Sequence, residues 1–212
     1  TYDESWFAPR DPGLGTVLVM LGVEGEIPEL AHHNFLFSDD WSNDFDAVFN
    51  GPVASRPQAA SRSIYVSKPS ATDPSVAPAG HENLFVLVPV PADPSVGHGD
   101  MYRGEASEQV QRIADAAIEQ IAARCGVAGL GRRIVVKQTL GPADFAERYN
   151  AWSGGSIGPA HTLRQSAFLR GSNKSRKLDT LMYAGATTTP GVGVPMCLIS
   201  AENVLKRVRG DR

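Results

Sequence analysis

Thr16-Val17-Leu18-Val19-Met20-Leu21-Gly22-Val23 decides the fold class. The run is β-branched and aliphatic, with Gly15 before it and Gly25 after it, which predicts a strand. Leu84 to Val90 is a second such run. Both are far shorter than the roughly 18 residues of a membrane-spanning helix. Working outward, His33–Ser38, Ser63–Lys68, Asn83–Val90 and Arg133–Gln138 read as further strands, followed by Thr162–Leu169 and a short one at Leu181–Ala184. Trp41, Phe45, Val48 and Phe49 recur at i, i+4, i+7 and i+8, which predicts a short helix with four bulky groups on one face, capped by Ser38, Asp39 and Asp40. The clearest helix runs from Glu105 to Arg124, with an apolar stripe of Val110, Ile113, Ala114, Ala117, Ile118 and Ile121, and Gly126 just past its end. Pro142–Tyr149 and Pro195–Arg209 complete the helices; Lys206, Arg207 and Arg209 suit the last turns of the second. Asn50–Arg62, Pro69–Gly80 and Asn150–Pro159 read as loops. Five or six strands with helices inserted out of strict βαβ alternation predict α+β, with a mixed, largely antiparallel sheet.

The 212 residues are 42% apolar and 20% charged, enough to bury a core. Gly and Pro, 21 and 15 residues, predict many turns and broken elements. The net charge of −3 conceals a split: residues 1–100 carry 4 Lys/Arg and 14 Asp/Glu, and residues 101–212 carry 16 and 9. The densest basic stretch is Arg164, Arg170, Lys174, Arg176 and Lys177. It suits a solvated face, an anionic lipid surface or a phosphorylated ligand; without a binding motif or an aromatic ladder beside it, nucleic acid is not expected. Thr1-Tyr2-Asp3-Glu4 has neither a basic n-region nor an apolar h-region, so no secretory leader is expected and the cytoplasm is the expected location. No initiator Met is present, consistent with a trimmed piece. Cys125 and Cys197 stand outside any CxxC or Cys/His spacing and are expected to be buried, reduced and inert.

The loop Gly185-Ala186-Thr187-Thr188-Thr189-Pro190-Gly191-Val192-Gly193 lies between the last strand and the last helix. Its glycines permit close backbone approach, and the helix start offers N–H groups from Gly193, Val194, Met196 and Cys197, Pro195 having none. The spacing is neither G-x-G-x-x-G nor a Walker A loop, so a tight connection and a cofactor contact both remain open. Gly154-Gly155-Ser156-Ile157-Gly158 matches G-x-S-x-G, but no strand precedes it and Pro159 follows, unlike a nucleophile elbow. His32 and His33 adjoin and are expected on opposite faces; with His81, His98 and His161 isolated, no metal site is expected. The sequon Asn173-Lys174-Ser175 reads as coincidental. Tyr149, Trp152 and Phe168 suit either loop packing or the wall of a tunnel for a flat apolar ligand.

Several segments, in order from about residue 16 to residue 205, resemble the bacterial phytoene desaturases of the flavin amine oxidoreductase superfamily. They are Leu30-Ala31-His32-His33-Asn34-Phe35-Leu36-Phe37, Asp44-Phe45-Asp46-Ala47-Val48-Phe49, Thr72-Asp73-Pro74-Ser75-Val76-Ala77-Pro78-Ala79-Gly80-His81 and Leu84–Pro91. Asp144-Phe145, Tyr149-Asn150-Ala151, Thr162-Leu163-Arg164-Gln165-Ser166-Ala167 and the terminal Gly/Pro loop follow. The Asp-Pro-Ser-x-Ala-Pro-x-Gly string and the order of the segments are the specific features.

The resemblance implies the C-terminal portion of an FAD-dependent enzyme acting on a long isoprenoid such as phytoene, in peripheral contact with a membrane, with the basic stretch Arg170–Lys177 either meeting lipid or flanking the flavin pyrophosphate. Residues 1–178 would be part of the isoprenoid-binding domain, and residues 179–212 the strand and helix returning to an α/β FAD-binding domain. The dinucleotide-binding βαβ unit is absent from the sequence, so the isolated chain is expected to be inactive. Gly185, Ala186, Thr188, Pro190, Gly191, Gly193, Val194, Pro195 and Met196 match the family's cofactor loop, and Tyr149, Trp152 and Phe168 are the substrate candidates. No side chain is expected to act as a catalytic acid or base, because a flavin itself accepts the hydride. Two departures stand out: Thr187-Thr188-Thr189 replaces the family's Gly-Thr-His, and the Gly154–Gly158 segment replaces a bulkier pattern near the substrate. A stand-alone carrier of hydrophobic ligands and a non-catalytic interaction domain are the alternatives.

Overall fold

The computed structural model describes residues 2–50 and 60–211. Within the expected loop Asn50–Arg62, residues 51–59 lie outside the described residues. The chain divides into two compact units, Leu14–Ser156 and the described residues up to Gly13 together with those from Ile157 onward.

Among the described residues the first unit is built on five strands: β1 Leu14–Glu24, β2 His33–Leu36, β3 Ile64–Ser67, β4 His81–Pro91 and β5 Ile134–Leu140, in the order β2-β3-β4-β1-β5. Every neighbouring pair is antiparallel, which corrects the expected mixed sheet. β4 and β5 point the same way, but β1 lies between them and pairs with both. The long connection from β4 to β5 thus makes a crossover without a parallel pair. Val17, Val19, Leu21 and Val23 of β1 are buried, as are Leu84, Val86, Val88 and Val90 of β4. Helix α3, Glu108–Cys125, lays the expected stripe into the same core and ends at Gly126, whose left-handed φ of 73° closes the helix. The other described helices of this unit are α2 Trp41–Phe49, α4 Leu130–Arg133 and α5 Pro142–Tyr149.

Helix α2 corrects the expected grouping of its four bulky residues. Val48 and Asp44 face inward, and Trp41, Phe45 and Phe49 are exposed. The buried Asp44 carboxylate decides this rotation. It accepts hydrogen bonds from the Ser38 hydroxyl (2.6 Å), the Arg62 N–H (2.7 Å) and the Ser63 hydroxyl. Burial opposes the carboxylate charge, but these donors outweigh it and hold the group below its ordinary pKa.

An ion pair between a buried lysine and a half-buried glutamate closes the far end of β3 and β4. Lys68 Nζ lies 3.4 Å from Glu82 Oε1 and donates to the Ile27 carbonyl at 2.5 Å. The Ser70 hydroxyl and the Ile27 N–H donate to the same carboxylate.

The second unit holds α1 Glu4–Phe7 and α6 Val194–Arg209, the latter closed by Gly210. Between residues 157 and 193 it is irregular. The expected strand at Thr162–Leu169 is instead two 3-10 turns, Leu163–Gln165 and Ala167–Leu169. Gln165 turns inward there, accepting from the Asp11 N–H and donating to the Asp11 and Ala160 carbonyls. The expected strand at Leu181–Ala184 shrinks to an isolated bridge between Lys174 and Met182. A side chain, that of Asn173, takes the Tyr183 carbonyl that a sheet ladder would use. Both cysteines are half-buried rather than buried, and burial pushes the Cys125 thiol up. Among the described residues, no helix is long and apolar enough to cross a membrane.

Candidate functional site

The loop before α6 is shaped by glycine. Gly185 (φ 121°), Gly191 (φ 152°) and Gly193 (φ 107°) all lie where L side chains are strained. They differ in surroundings. A Cβ on Gly185 would meet nothing within 4 Å, and one on Gly193 only the Pro195 ring at 4.0 Å, whereas one on Gly191 would lie 3.0 Å from His161. Gly185 and Gly193 therefore expose bare backbone on open space. Gly193 caps α6, Pro195 sits in its first turn, and the Cys197 N–H donates to the Gly193 carbonyl at 2.9 Å. That bond corrects the expected donor set, which is reduced to Gly193, Val194 and Met196. Val194 and Pro195 are exposed; Ala186, Pro190 and Met196 are half-buried.

Thr188 points the other way. Its side chain is buried, with its hydroxyl donating to the Gly185 carbonyl at 3.0 Å and lying 2.9 Å from the Ser200 hydroxyl. The polar atoms of Thr188 are thus committed inside the protein. Arg170 is likewise interior, which corrects its place in the basic stretch. Its guanidinium donates to the carbonyls of Ala186, Pro159 and Gln165 at 2.6, 2.8 and 3.1 Å. Lys174 pairs with Asp179 and Lys177 with Asp3, both at the surface, and Arg164 and Arg176 are exposed. A cleft of about 1110 Å³ in the same unit is lined by Arg10, Lys174, Arg176, Lys177, Lys206 and Arg207 among others.

The three aromatic candidates are not brought together as one wall within a unit. Tyr149, at the end of α5, is exposed, stacks on Phe145 with centroids 5.8 Å apart, and sets its hydroxyl 3.4 Å from that of Tyr102. Trp152 is half-buried in a 3-10 turn of the same unit. Phe168 belongs to the other unit and is 85% exposed. Ser156 donates to the Leu14 carbonyl at 3.2 Å, and its segment follows a 3-10 turn, not a strand. His32 and His33 are not on opposite faces: their rings lie 4.3 Å apart, because β2 begins only at His33. Among the described residues no group of three His, Cys, Asp or Glu is placed to hold a metal.

The sequence reading missed the second face of the sheet. Opposite the core, Leu18 and Met20 of β1 pair with Leu87 and Phe85 of β4, and Leu87 in turn with Tyr65 of β3. Met20, Gly22, Val76, Phe85 and Val136 line a groove of about 470 Å³ there. From Tyr65 a row of exposed rings continues through Phe35, Phe37, Trp41, Phe45 and Phe49, with successive centroids 5.1 to 6.5 Å apart. A signal was present. Val17 to Leu21 is apolar at every position, and an uninterrupted run marks a strand covered on both faces rather than one with a wet side.

The chain is 42% identical over 210 residues to the "Carotenoid 3,4-desaturase" of Haloarcula japonica, covering 99% of this chain and 40% of that protein. It is 32% identical over 202 residues to the "4,4'-diapophytoene desaturase (4,4'-diaponeurosporene-forming)" of Staphylococcus aureus strain Newman, covering 95% of this chain and 39% of that protein. No family model matches the chain. The chain is therefore homologous to carotenoid desaturases and spans about two-fifths of the length of these relatives.

Proposed function

We propose that the chain is the C-terminal part of an FAD-dependent oxidoreductase that dehydrogenates a long isoprenoid, phytoene or a related carotenoid precursor. The observation that carries this reading is the 42% identity along 99% of the chain. Residues 1–178 would serve the substrate and residues 179–212 the cofactor.

The residues present fit the flavin end of such a cofactor. Gly185 and Gly193 leave open space where a Cβ would stand, so a planar ring can lie against their backbone. The sequence holds no G-x-G-x-x-G for the dinucleotide end. When bound, the flavin supplies the hydride acceptor. The N–H groups of Gly193, Val194 and Met196 and the positive end of α6 stabilise negative charge beside the loop. The Leu18, Met20, Phe85 and Leu87 face offers an apolar bed that aligns a polyene and excludes water. The chemistry asks no proton transfer of a side chain, and we assign none.

Expression of the full-length gene product in phytoene-accumulating cells tests the reading. Phytoene should give way to products absorbing at longer wavelength, and the purified protein should release flavin. Flavin-free protein that leaves phytoene and 4,4'-diapophytoene unchanged overturns it. Such protein that still binds the polyenes would favour the carrier, which the open groove on the sheet supports.

A hydrocarbon substrate resides in the bilayer, so the proposal includes peripheral membrane contact. With Arg170 excluded, Lys174, Arg176 and Lys177, which line one cleft that Arg164 does not, are the candidates, and exposed pairs such as Lys174–Asp179 are weak enough to yield. Sedimentation with phosphatidylserine vesicles should fall steeply from low to physiological salt. Changing all three residues to Gln should remove most of the binding, at about 1 kcal/mol each. Undiminished binding of the triple variant places the contact elsewhere.

A further inference from the structure

The loop from Gly185 to Gly191 is held from beneath by two side chains that the flavin reading leaves without a role. Asn173 is 3% exposed and Arg170 is 5% exposed. The Asn173 amide nitrogen faces the Tyr183 carbonyl at 3.0 Å, the Thr188 hydroxyl at 3.2 Å, the Thr189 carbonyl at 3.2 Å and the Ser200 hydroxyl at 2.9 Å. Two N–H donors thus serve four acceptors on both sides of the loop. Ser200, fully buried on α6, accepts from the Gly185 N–H at 3.1 Å, so loop and helix share one polar hub. Arg170 holds the next carbonyl, that of Ala186. Its Nη1 fastens that point to the Pro159 and Gln165 carbonyls, and its Nη2 to that of Ile157 at 3.4 Å. Among the described residues no carboxylate pairs with this guanidinium; backbone carbonyls alone carry its charge. A buried cation so satisfied is a costly way to anchor a loop whose only task is to connect.

We propose that Arg170 and Asn173 are positioning residues, a buried clamp that sets the path of residues 185–191 and so how closely a flavin can approach the backbone at Gly185. The inference rests on the reading of this loop as the flavin contact. Asn173 fixes the carbonyl and hydroxyl side of the loop through Thr188 and Ser200. Arg170 fixes the opposite turn through Ala186. Both act through the loop, not on the reacting atoms.

The test uses the full-length gene product carrying Asn173→Asp, which keeps the shape and removes both N–H donors, or Arg170→Lys, which keeps the charge and removes the fork. Hydrogen–deuterium exchange on flavin-stripped protein reads the loop without any turnover. Peptides within 183–192 should exchange about tenfold faster, while those within 81–91 stay unchanged. In the flavin-loaded protein the same variants should bind flavin about tenfold more weakly and shift its reduction potential. A merely structural role lowers thermal stability and leaves the potential where it was. Unchanged exchange in 183–192 overturns the clamp. Faster loop exchange with unaltered flavin affinity and potential overturns the cofactor reading instead. Should Asn173→Asp not fold, Ser200→Ala removes a single arm of the hub and is judged on the same readouts.

Discussion

Lys68→Met lowers the stability of this protein by about 1–3 kcal/mol at neutral pH, the usual cost of taking the partner from a group that is only partly open to water. The methionine fills the space of the buried lysine stem but leaves the half-buried Glu82 carboxylate without its cation. In the native protein burial opposes ionisation of Glu82. The Ser70 hydroxyl, the Ile27 N–H and the Lys68 ammonium outweigh it and hold the carboxyl below its ordinary pKa. A lowered pKa means that its contribution is fully present above the unfolded value and is lost as pH falls through the folded one. Without Lys68, burial gains against the two remaining donors. The penalty of the variant should therefore be largest near pH 7 and shrink towards pH 4, where a protonated Glu82 is tolerated. Urea denaturation of both proteins across that range measures the difference. The double variant Lys68→Met/Glu82→Leu should recover most of the loss. A penalty that does not change with pH would show that the cost lies in packing rather than charge.

Gly193→Glu weakens flavin binding by the full-length gene product by about 10- to 150-fold, if the loop has the role proposed above. Two costs must be separated. Gly193 has φ 107° and ψ 151°, a conformation nearly reserved for glycine, so any side chain there costs about 1–3 kcal/mol of stability. Space is not the obstacle, since the nearest atom to a Cβ is 4.0 Å away. Gly193→Gln carries the backbone cost and the bulk, and Gly193→Glu adds a negative charge at the end of α6 where anionic reduced flavin would be stabilised. Melting should fall equally in the two variants, while flavin affinity should fall further in the Glu variant. Equal affinities, both matching the parent protein, would reduce Gly193 to a backbone hinge.

Elements with a strong local period were legible in the sequence. β1, β4, α3, α5 and α6 stand within a few residues of their expected bounds. In α3 the buried set is the stripe that the spacing names. Failures fell where the deciding partner is distant in sequence. Thr162–Leu169 has an apolar content that suits a strand, yet the hydrogen bonds of Gln165 to Asp11, 154 residues away, turn it into 3-10 coil. Helix α2 has its apolar residues spaced as expected, but the donors that hold Asp44 choose which of them face the core. Arg170 read as one cation among five in a basic stretch; only its carbonyl partners identify it as interior.

The sequence by itself determined the α+β class, the principal strands and helices, and the glycine loop before the last helix. Each of these follows from side-chain periodicity or backbone permissiveness over a dozen residues. Tertiary structure alone decided that the sheet is wholly antiparallel, because β1 is inserted between β4 and β5. It alone exposed the aromatic row that runs from Phe35 and Phe37 onto α2, since which face is covered depends on what packs there. It alone turned Thr188 inward and gathered Asn173, Thr188 and Ser200 into one hub, because buried polar groups must find partners wherever the chain brings them.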